Sequence, residues 1–183
     1  VAYHKVTARY ERLCEIENSK TEQIINYIVT QLEEVTPLAL EKLLAFSDGV
    51  NYALNGTCMI EEESQAWQHG PVYPSVYKKY KKFGYKPIDN GIHSKHGCML
   101  SKVSEGELKA IDMVLDTFGL YSPKTLEIIS HKQTPWIEKR KGYSEKEAGQ
   151  EVIDEGSVRE YYIKNELNSE KRIMEYIFRC LKG

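Results

Sequence analysis

The chain has 183 residues, of which 41% are hydrophobic and 28% are charged, a composition typical of a globular domain. A domain of this length buries roughly 70% of the surface that its unfolded chain exposes, so the chain can form its own core. Its net charge of -2 excludes a strongly basic field for nucleic acid, and no apolar run approaches the ~20 residues of a membrane span.

The N-terminal part of the sequence predicts two short helices. Residues 2–17 are polar and carry a narrow apolar stripe, formed by Val6, Leu13 and Ile16. Because the chain starts with Val1 and not with Met, we interpret residues 1–19 as a helical connector that follows a missing N-terminal region. Ser19 and Glu22 have the spacing of a capping box, which predicts the start of the next helix.

The helix that follows Thr36 is the most hydrophobic predicted element. Threonine accepts a hydrogen bond from the first turn, and the proline after it is tolerated because its missing N–H would have no partner there. Apolar side chains cover a wide face of this helix, including the core motif residues Leu40, Leu43 and Leu44. Gly56 predicts the end of the helix, since glycine adopts positive φ easily. We therefore expect this helix at the centre of the core.

Between residues 57 and 84 the sequence predicts a short strand, a tight turn and a helix. Residues 58–60 favour the strand, and residues 67–74 favour a stiff turn because they contain two prolines. The helix begins near Pro74 and ends at Gly84. Its apolar spacing predicts four inward-facing side chains, namely Val76, Tyr77, Tyr80 and Phe83.

Lysines alternate with tyrosines in this helix. The predicted outer face carries Lys78, Lys79, Lys81 and Lys82. Such a mixture can bind single-stranded nucleic acid, because aromatic rings stack on bases. The alternative, which we favour, is an amphipathic helix whose lysines are solvated while its tyrosines pack inward.

The second half of the sequence predicts a loop and then further short helices. Residues 84–103 favour the loop, with a short strand at 98–103. Helix starts are indicated by Ser104 with Glu107, Ser122-Pro123, Thr134-Pro135, and Ser144 with Glu147. Two helices, near 158–167 and 170–181, complete the chain. The elements together predict a mainly α fold, a single compact helical domain with a small two-stranded β element.

Few residues in the sequence have the spacing that chemistry requires. His93, His96 and Cys98 are metal-ligand types, but the fourth ligand of a structural zinc site is missing, so we expect no metal. His69 and His131 are candidate general bases, although the sequence places no nucleophile beside either ring. The four cysteines are too widely spaced for a disulfide framework, which favours a reducing cytoplasm. We expect no catalytic residue and no cofactor.

Three short motifs stand out in the chain. Residues 36–46 contain a helix of the form L-x-L-x-K-L-L, which includes Lys42 and is followed by Ala45. Residues 66–72 read A-W-x-x-G-P-V, and residues 130–136 read S-H-x-x-x-P-W. In order and spacing these motifs resemble the Panacea domain family of SocA-like antitoxins, with one departure at Ala45, where the family often has tyrosine. The resemblance implies that residues 20–183 form the antitoxin domain.

The resemblance also implies a function in a bacterial or phage toxin–antitoxin system. The chain would neutralise a co-encoded toxin by direct binding in the cytoplasm, and it would not be an enzyme. A protease complex would be a further partner if the protein delivers the toxin for degradation. DNA would be bound only through a missing N-terminal helix-turn-helix, and no membrane would be bound. A small hydrolase that uses His69 or His131 is a third alternative. The expected partner-binding residues are Trp67, His69, Gly70, Pro71, Val72, Tyr73, His131, Pro135 and Trp136.

Overall fold

The computed structural model describes residues 19–89 and 100–183, in which eight α-helices and one two-stranded antiparallel sheet are found. The mainly α fold with a small β element is therefore confirmed. The helices are α1 (Lys20–Gln31), α2 (Pro37–Asn55), α3 (Pro74–Tyr80), α4 (Glu105–Phe118), α5 (Pro123–Ser130), α6 (Thr134–Lys139), α7 (Glu155–Lys164) and α8 (Glu170–Lys182). Strands β1 (Gln65–Trp67) and β2 (Gly70–Val72) form a hairpin between α2 and α3.

Helix α2 is the centre of the core, as predicted. It contacts α1, α3, α4, α5, α7 and the hairpin, and its three motif leucines are buried. Phe46 of α2 stacks on Phe118 of α4 with ring centroids 4.3 Å apart. On another side of α2, a Cβ added to Gly49 would lie 2.2 Å from Cζ of Tyr162, so glycine allows α7 to pack directly on the α2 backbone.

Most of the predicted helix starts are confirmed. Ser104 and Glu107 form a complete capping box at α4, and the Thr36 hydroxyl accepts a hydrogen bond from the Ala39 amide at α2. Two predictions are wrong. The N-cap of α6 is Gln133 and not Thr134. Ser144 and Glu147 do bond to each other, but the segment that follows is a turn and not a helix.

The strands lie elsewhere than the sequence predicts. Residues 58–60 are not a strand, because the amides of Met59 and Ile60 donate to the carboxylate of Asp48 on α2. Residues 100–103 form a turn, and the rest of the predicted strand at 98–103 lies outside the described residues. The hairpin instead falls within the segment that was predicted as a tight turn and extends two residues before it.

A third extended segment lies beside β1 and extends the small sheet. The Ala66 amide donates to the Glu151 carbonyl at 2.8 Å, and the Ile153 amide donates to the Ser64 carbonyl at 2.8 Å. Gln65 and Val152 form an antiparallel bridge between these bonds. The hairpin is therefore held by a segment whose paired residues lie 85 to 89 positions further along the chain.

Helix α3 departs from the predicted orientation at one residue. Val76 and Tyr80 are buried, as expected, and the four lysines near them are exposed. Tyr77, which was predicted to face inward, is 39% exposed and packs edge-on against Trp67 with ring centroids 4.8 Å apart. In this helix of seven residues, Val76 and Tyr80 four positions apart define the buried stripe, and Tyr77 lies beside it.

Some predictions concern parts of the chain that the structure does not describe. The helical connector at 1–19 falls there, apart from Ser19, and so does the group of His93, His96 and Cys98. In the described residues, no cluster of histidine, cysteine and carboxylate side chains has the arrangement of a metal site. None of the described helices combines the length and the hydrophobicity that crossing a membrane requires.

Candidate functional site

The β1–β2 hairpin is built around a two-residue turn, Gln68-His69, between the paired residues Trp67 and Gly70. Gly70 has φ 98°, a conformation that favours glycine. A Cβ added at this position would lie 2.5 Å from the Ser130 hydroxyl and 2.8 Å from Cε of Lys42. The hairpin therefore packs its backbone closely on both α2 and α5, which only glycine permits.

Lys42 lies beneath the hairpin and is fully buried. Its ammonium group donates to the Pro71 carbonyl at 2.6 Å. Burial lowers the pKa of this amine, whereas the nearby carboxylates of Glu41 and Glu127 act in the opposite direction. Sequence analysis grouped Lys42 with the core leucines, and the structure shows that it holds the backbone of β2 in place.

Glu41 is the second charged residue of α2 that contacts the hairpin. Its carboxylate accepts a hydrogen bond from the Tyr73 amide at 2.8 Å, directly after β2. Burial raises the pKa of this carboxyl group. Sequence reasoning missed Glu41, although an adjacent Glu-Lys pair inside the most hydrophobic helix was a usable signal, because buried charges are rare unless they are paired.

Glu127 on α5 contacts the turn of the hairpin from the other side. Its buried carboxylate accepts from Nδ1 of His69 at 2.9 Å and from the Lys124 ammonium at 3.1 Å. Burial raises the pKa of Glu127, but these hydrogen bonds outweigh that effect and lower it overall. The ionised carboxylate therefore orients His69, whose side chain remains 59% exposed. Sequence reasoning also missed Glu127, which lies 58 residues from His69.

The second and third motifs meet at Trp136. Its indole N–H donates to the Trp67 carbonyl at 3.0 Å, and its ring stacks on His131 with centroids 4.1 Å apart. Burial lowers the pKa of His131 to about 4, so this imidazole is neutral at physiological pH. Three segments that are distant in sequence therefore form one structure around the hairpin.

Arg140 connects strand β1 of the hairpin to residues 144–147. This buried guanidinium donates to the carbonyls of Ser144 at 3.0 Å and Glu147 at 2.8 Å, and it also reaches the Ala66 carbonyl at 3.5 Å. It thereby ties β1 to the turn that follows α6. Sequence reasoning missed Arg140, since its three acceptors are backbone atoms and leave no pattern in side-chain identity.

The predicted site residues divide into a buried set and a surface set. Gly70, Pro71, Val72, Tyr73 and Pro135 are buried, whereas Trp67, His131 and Trp136 are half-buried and His69 is exposed. The structure therefore brings these residues together, but only the last four reach solvent to a substantial extent. Of the two histidines, neither forms a hydrogen bond with a hydroxyl or thiol group within residues 19–89 and 100–183.

Comparison with known proteins places this arrangement in a family. The family model described as "Antitoxin SocA-like, Panacea domain" matches residues 40–137, which include α2, the hairpin and α6 up to Ile137. The chain therefore belongs to the SocA-like antitoxin family with a Panacea domain.

One curated relative is Antitoxin SocA of Caulobacter vibrioides (strain NA1000 / CB15N). It is 31% identical to this chain over 113 residues, which cover 56% of this chain and 58% of the relative. The chain thus matches little more than half of the length of that protein. No solved structure gives a significant match.

Proposed function

We propose that this protein is an antitoxin that neutralises a co-encoded toxin by direct binding, and that the hairpin is part of its contact surface. The observation that carries this proposal is the convergence of three sequence motifs on one hairpin whose turn reaches solvent, in a chain of the SocA-like family. The three ionisable residues beneath the hairpin all bond to it: Lys42 and Glu41 bond to its backbone, and Glu127 bonds to His69 in its turn.

A stiff hairpin supports binding for an energetic reason. Association is opposed by the ordering of flexible loops, at about 0.5–1.5 kcal/mol for each side chain that becomes fixed. Here the turn is fixed before any partner arrives, because His69 is bonded to Glu127 and the Pro71 carbonyl to Lys42. A prearranged contact surface therefore converts more of its interaction energy into affinity.

We further propose that the protein is not an enzyme and that it acts in the cytoplasm without a cofactor. His69 is oriented by a carboxylate, as a general base would be, but a base needs a nucleophile or a substrate proton within reach. We assign the antitoxin domain to residues 20–183.

Co-expression with the product of the adjoining gene tests the proposal. We expect the unmodified chain to restore growth and to form a stoichiometric complex with that product. His69→Ala should weaken the complex without lowering the melting temperature by more than a few degrees, because it removes an exposed ring while Lys42 and Glu41 still hold the backbone of β2.

Asn168→Ala, an exposed polar position in the loop between α7 and α8, is the matched control and should bind normally. Neutralisation that requires a cellular protease would identify an adaptor instead. Turnover of a substrate by the purified chain, lost in His69→Ala, would identify a hydrolase. If His69→Ala binds as tightly as the unmodified chain, His69 lies outside the contact surface.

A further inference from the structure

The outer side of the hairpin and α3 has an unusual charge distribution. Residues 65–88 contain five lysines and no aspartate or glutamate, although the whole chain has a net charge of -2. The lysines of this segment are Lys78, Lys79, Lys81, Lys82 and Lys86. The segment is therefore basic, and the carboxylates that reach α3 from elsewhere lie at Ser75, which bonds to Glu62, and at Lys79, which pairs with Glu22.

One of these lysines adjoins an exposed aromatic ring. Tyr77 packs edge-on against Trp67, and the ammonium of Lys81 lies 6.0 Å from the centre of the Tyr77 ring. Lys78 is a neighbour of Lys81, since it lies three positions before it where α3 continues into a short 3-10 turn. We call Trp67, Tyr77, Lys78 and Lys81 the aromatic–lysine face.

The lysines of this face can pair with a partner, whereas the polar group of its tryptophan is already bonded. Lys79 is ion-paired with Glu22 at 2.5 Å, whereas Lys78 and Lys81 form no ion pair with any residue of the described part of the chain. The indole N–H of Trp67 already donates to the Gln65 side chain at 2.8 Å. The exposed part of Trp67 therefore offers apolar surface, and the two lysines offer uncompensated positive charge.

We propose that the aromatic–lysine face docks an acidic patch of the toxin, in which carboxylates surround an apolar contact. This inference rests on the proposed antitoxin function and names the chemistry of its partner. Aromatic side chains dominate the energy of protein interfaces, and complementary charges at the rim accelerate association. Trp67 directly precedes the turn that carries His69, so the face begins next to the turn of the hairpin.

A folded acidic protein fits this face better than a nucleic acid strand does. Trp67 and Tyr77 meet at an interplanar angle of 63°, so they do not present parallel faces on which successive bases could stack. A polyanion would also be repelled by the net charge of -2, whereas a compact toxin would touch the basic region alone.

Charge reversal tests the electrostatic part of the inference. Lys78→Glu/Lys81→Glu is compared with Lys164→Glu/Lys171→Glu, which makes the same charge change at exposed positions of α7 and α8. The partner is the purified product of the adjoining gene, and association and dissociation rates are measured at low and high salt. We expect the first variant to associate about tenfold more slowly at low salt, with the difference largely lost at ~1 M salt. The second should associate like the unmodified chain.

Removal of the aromatic ring tests the apolar part. Tyr77→Ala should increase the dissociation rate about tenfold, because the ring supplies buried contact area in the complex. Phe178→Ala, an exposed aromatic of α8, is its matched control and should leave the rate unchanged. The melting temperatures of all variants show whether they remain folded.

Each contradictory result has a distinct meaning. If the unmodified chain binds and both double variants bind equally well, the docking inference is wrong and the antitoxin proposal stands. If the unmodified chain does not bind at all, the antitoxin proposal and the inference both fail. If a labelled single-stranded oligonucleotide binds and is lost with Lys78→Glu/Lys81→Glu, while protein binding is unaffected, the face is a nucleic-acid site.

Discussion

Three charged side chains, Glu41, Lys42 and Glu127, are buried close to one another beneath the hairpin. Burying an ionisable group is costly unless hydrogen bonds compensate it, and here each group bonds to the hairpin. Among the described residues Oε1 of Glu41 has no hydrogen-bond partner, and burial raises the pKa of this carboxyl to about 8. The shared role of the three residues is to fix one backbone conformation from two sides. An apolar core could fill the same volume, but it could not satisfy the Pro71 carbonyl and the Tyr73 amide.

Gly70→Ala tests how closely the hairpin packs. The new Cβ would require both positive φ and displacement of Lys42 and Ser130, so we expect a loss of more than about 2 kcal/mol in the free energy of unfolding. Gly56→Ala is the control, because Gly56 has φ 74° but an added Cβ would meet no surrounding atom within 4 Å, and backbone strain alone costs about 1–2 kcal/mol. Urea unfolding compares the two. Equal losses would show that the contacts of Gly70 add nothing.

Asp48 makes stability depend on pH. Burial raises its pKa from 3.8 to about 6, although the amides of Met59 and Ile60 act against this. Because the pKa is higher in the folded protein, stability from this group is present below pH 3.8 and is lost as pH rises through 6. Asp48→Asn should therefore gain stability relative to the unmodified chain by about 3 kcal/mol between pH 4 and pH 8. The free energy of unfolding in urea is measured for both proteins across this pH range. If it changes with pH in the same way for both, the raised pKa of Asp48 is contradicted.

At the scale of elements, most helices were predictable from sequence, whereas the helix expected after Ser144 is a turn and the hairpin was not predicted. Helix α2 has a long apolar face, a threonine cap and a terminal glycine, and all three signals are local. The strands have three residues each, too few to show alternation, and their register depends on Lys42 and Glu151. Tyr77 was misplaced because a helix of seven residues does not define its buried face well. The partners that hold the hairpin lie 29 to 85 positions from it along the chain, so they left no local signal in the sequence.

Leu43→Ala measures the contribution of the α2 core. Leu43 is buried among apolar side chains, so we expect the free energy of unfolding to fall by about 2–5 kcal/mol. Leu120→Ala removes the same atoms from a side chain that is 91% exposed, and it should change stability by less than about 0.5 kcal/mol. Chemical denaturation of both variants provides the comparison. A loss below 0.5 kcal/mol for Leu43→Ala would remove this residue from the core.

At the scale of the whole molecule, the family match and the folded unit have different bounds. The match ends at residue 137, but α7 and α8 cover buried faces of α2, α4 and α5. Tyr162 of α7 accepts a hydrogen bond from the buried Gln133 side chain at 2.8 Å, and Glu151 pairs with β1. The C-terminal segment therefore completes the same core.

A fragment of residues 40–137 should not fold by itself. It would expose the faces of α2, α4 and α5 that α1, α7 and α8 cover, and it would leave the β1 backbone without Glu151 and Ile153. We expect residues 19–183 to unfold in one cooperative transition and the fragment to show none, as measured by circular dichroism during heating. Cooperative unfolding of the fragment would show that residues 138–183 are not needed to form the core.

The bonds that hold the hairpin have a consequence for the lifetime of a complex. The Tyr73 amide is bonded to a buried carboxylate, and the Ala66 amide is bonded to Glu151. Such amides exchange their hydrogens with solvent only when the surrounding structure opens, unlike those of an ordinary surface loop. These bonds therefore indicate that the hairpin opens together with the core and does not fray independently. A toxin bound to this surface would leave by dissociation from a folded hairpin, and fraying would not accelerate its release.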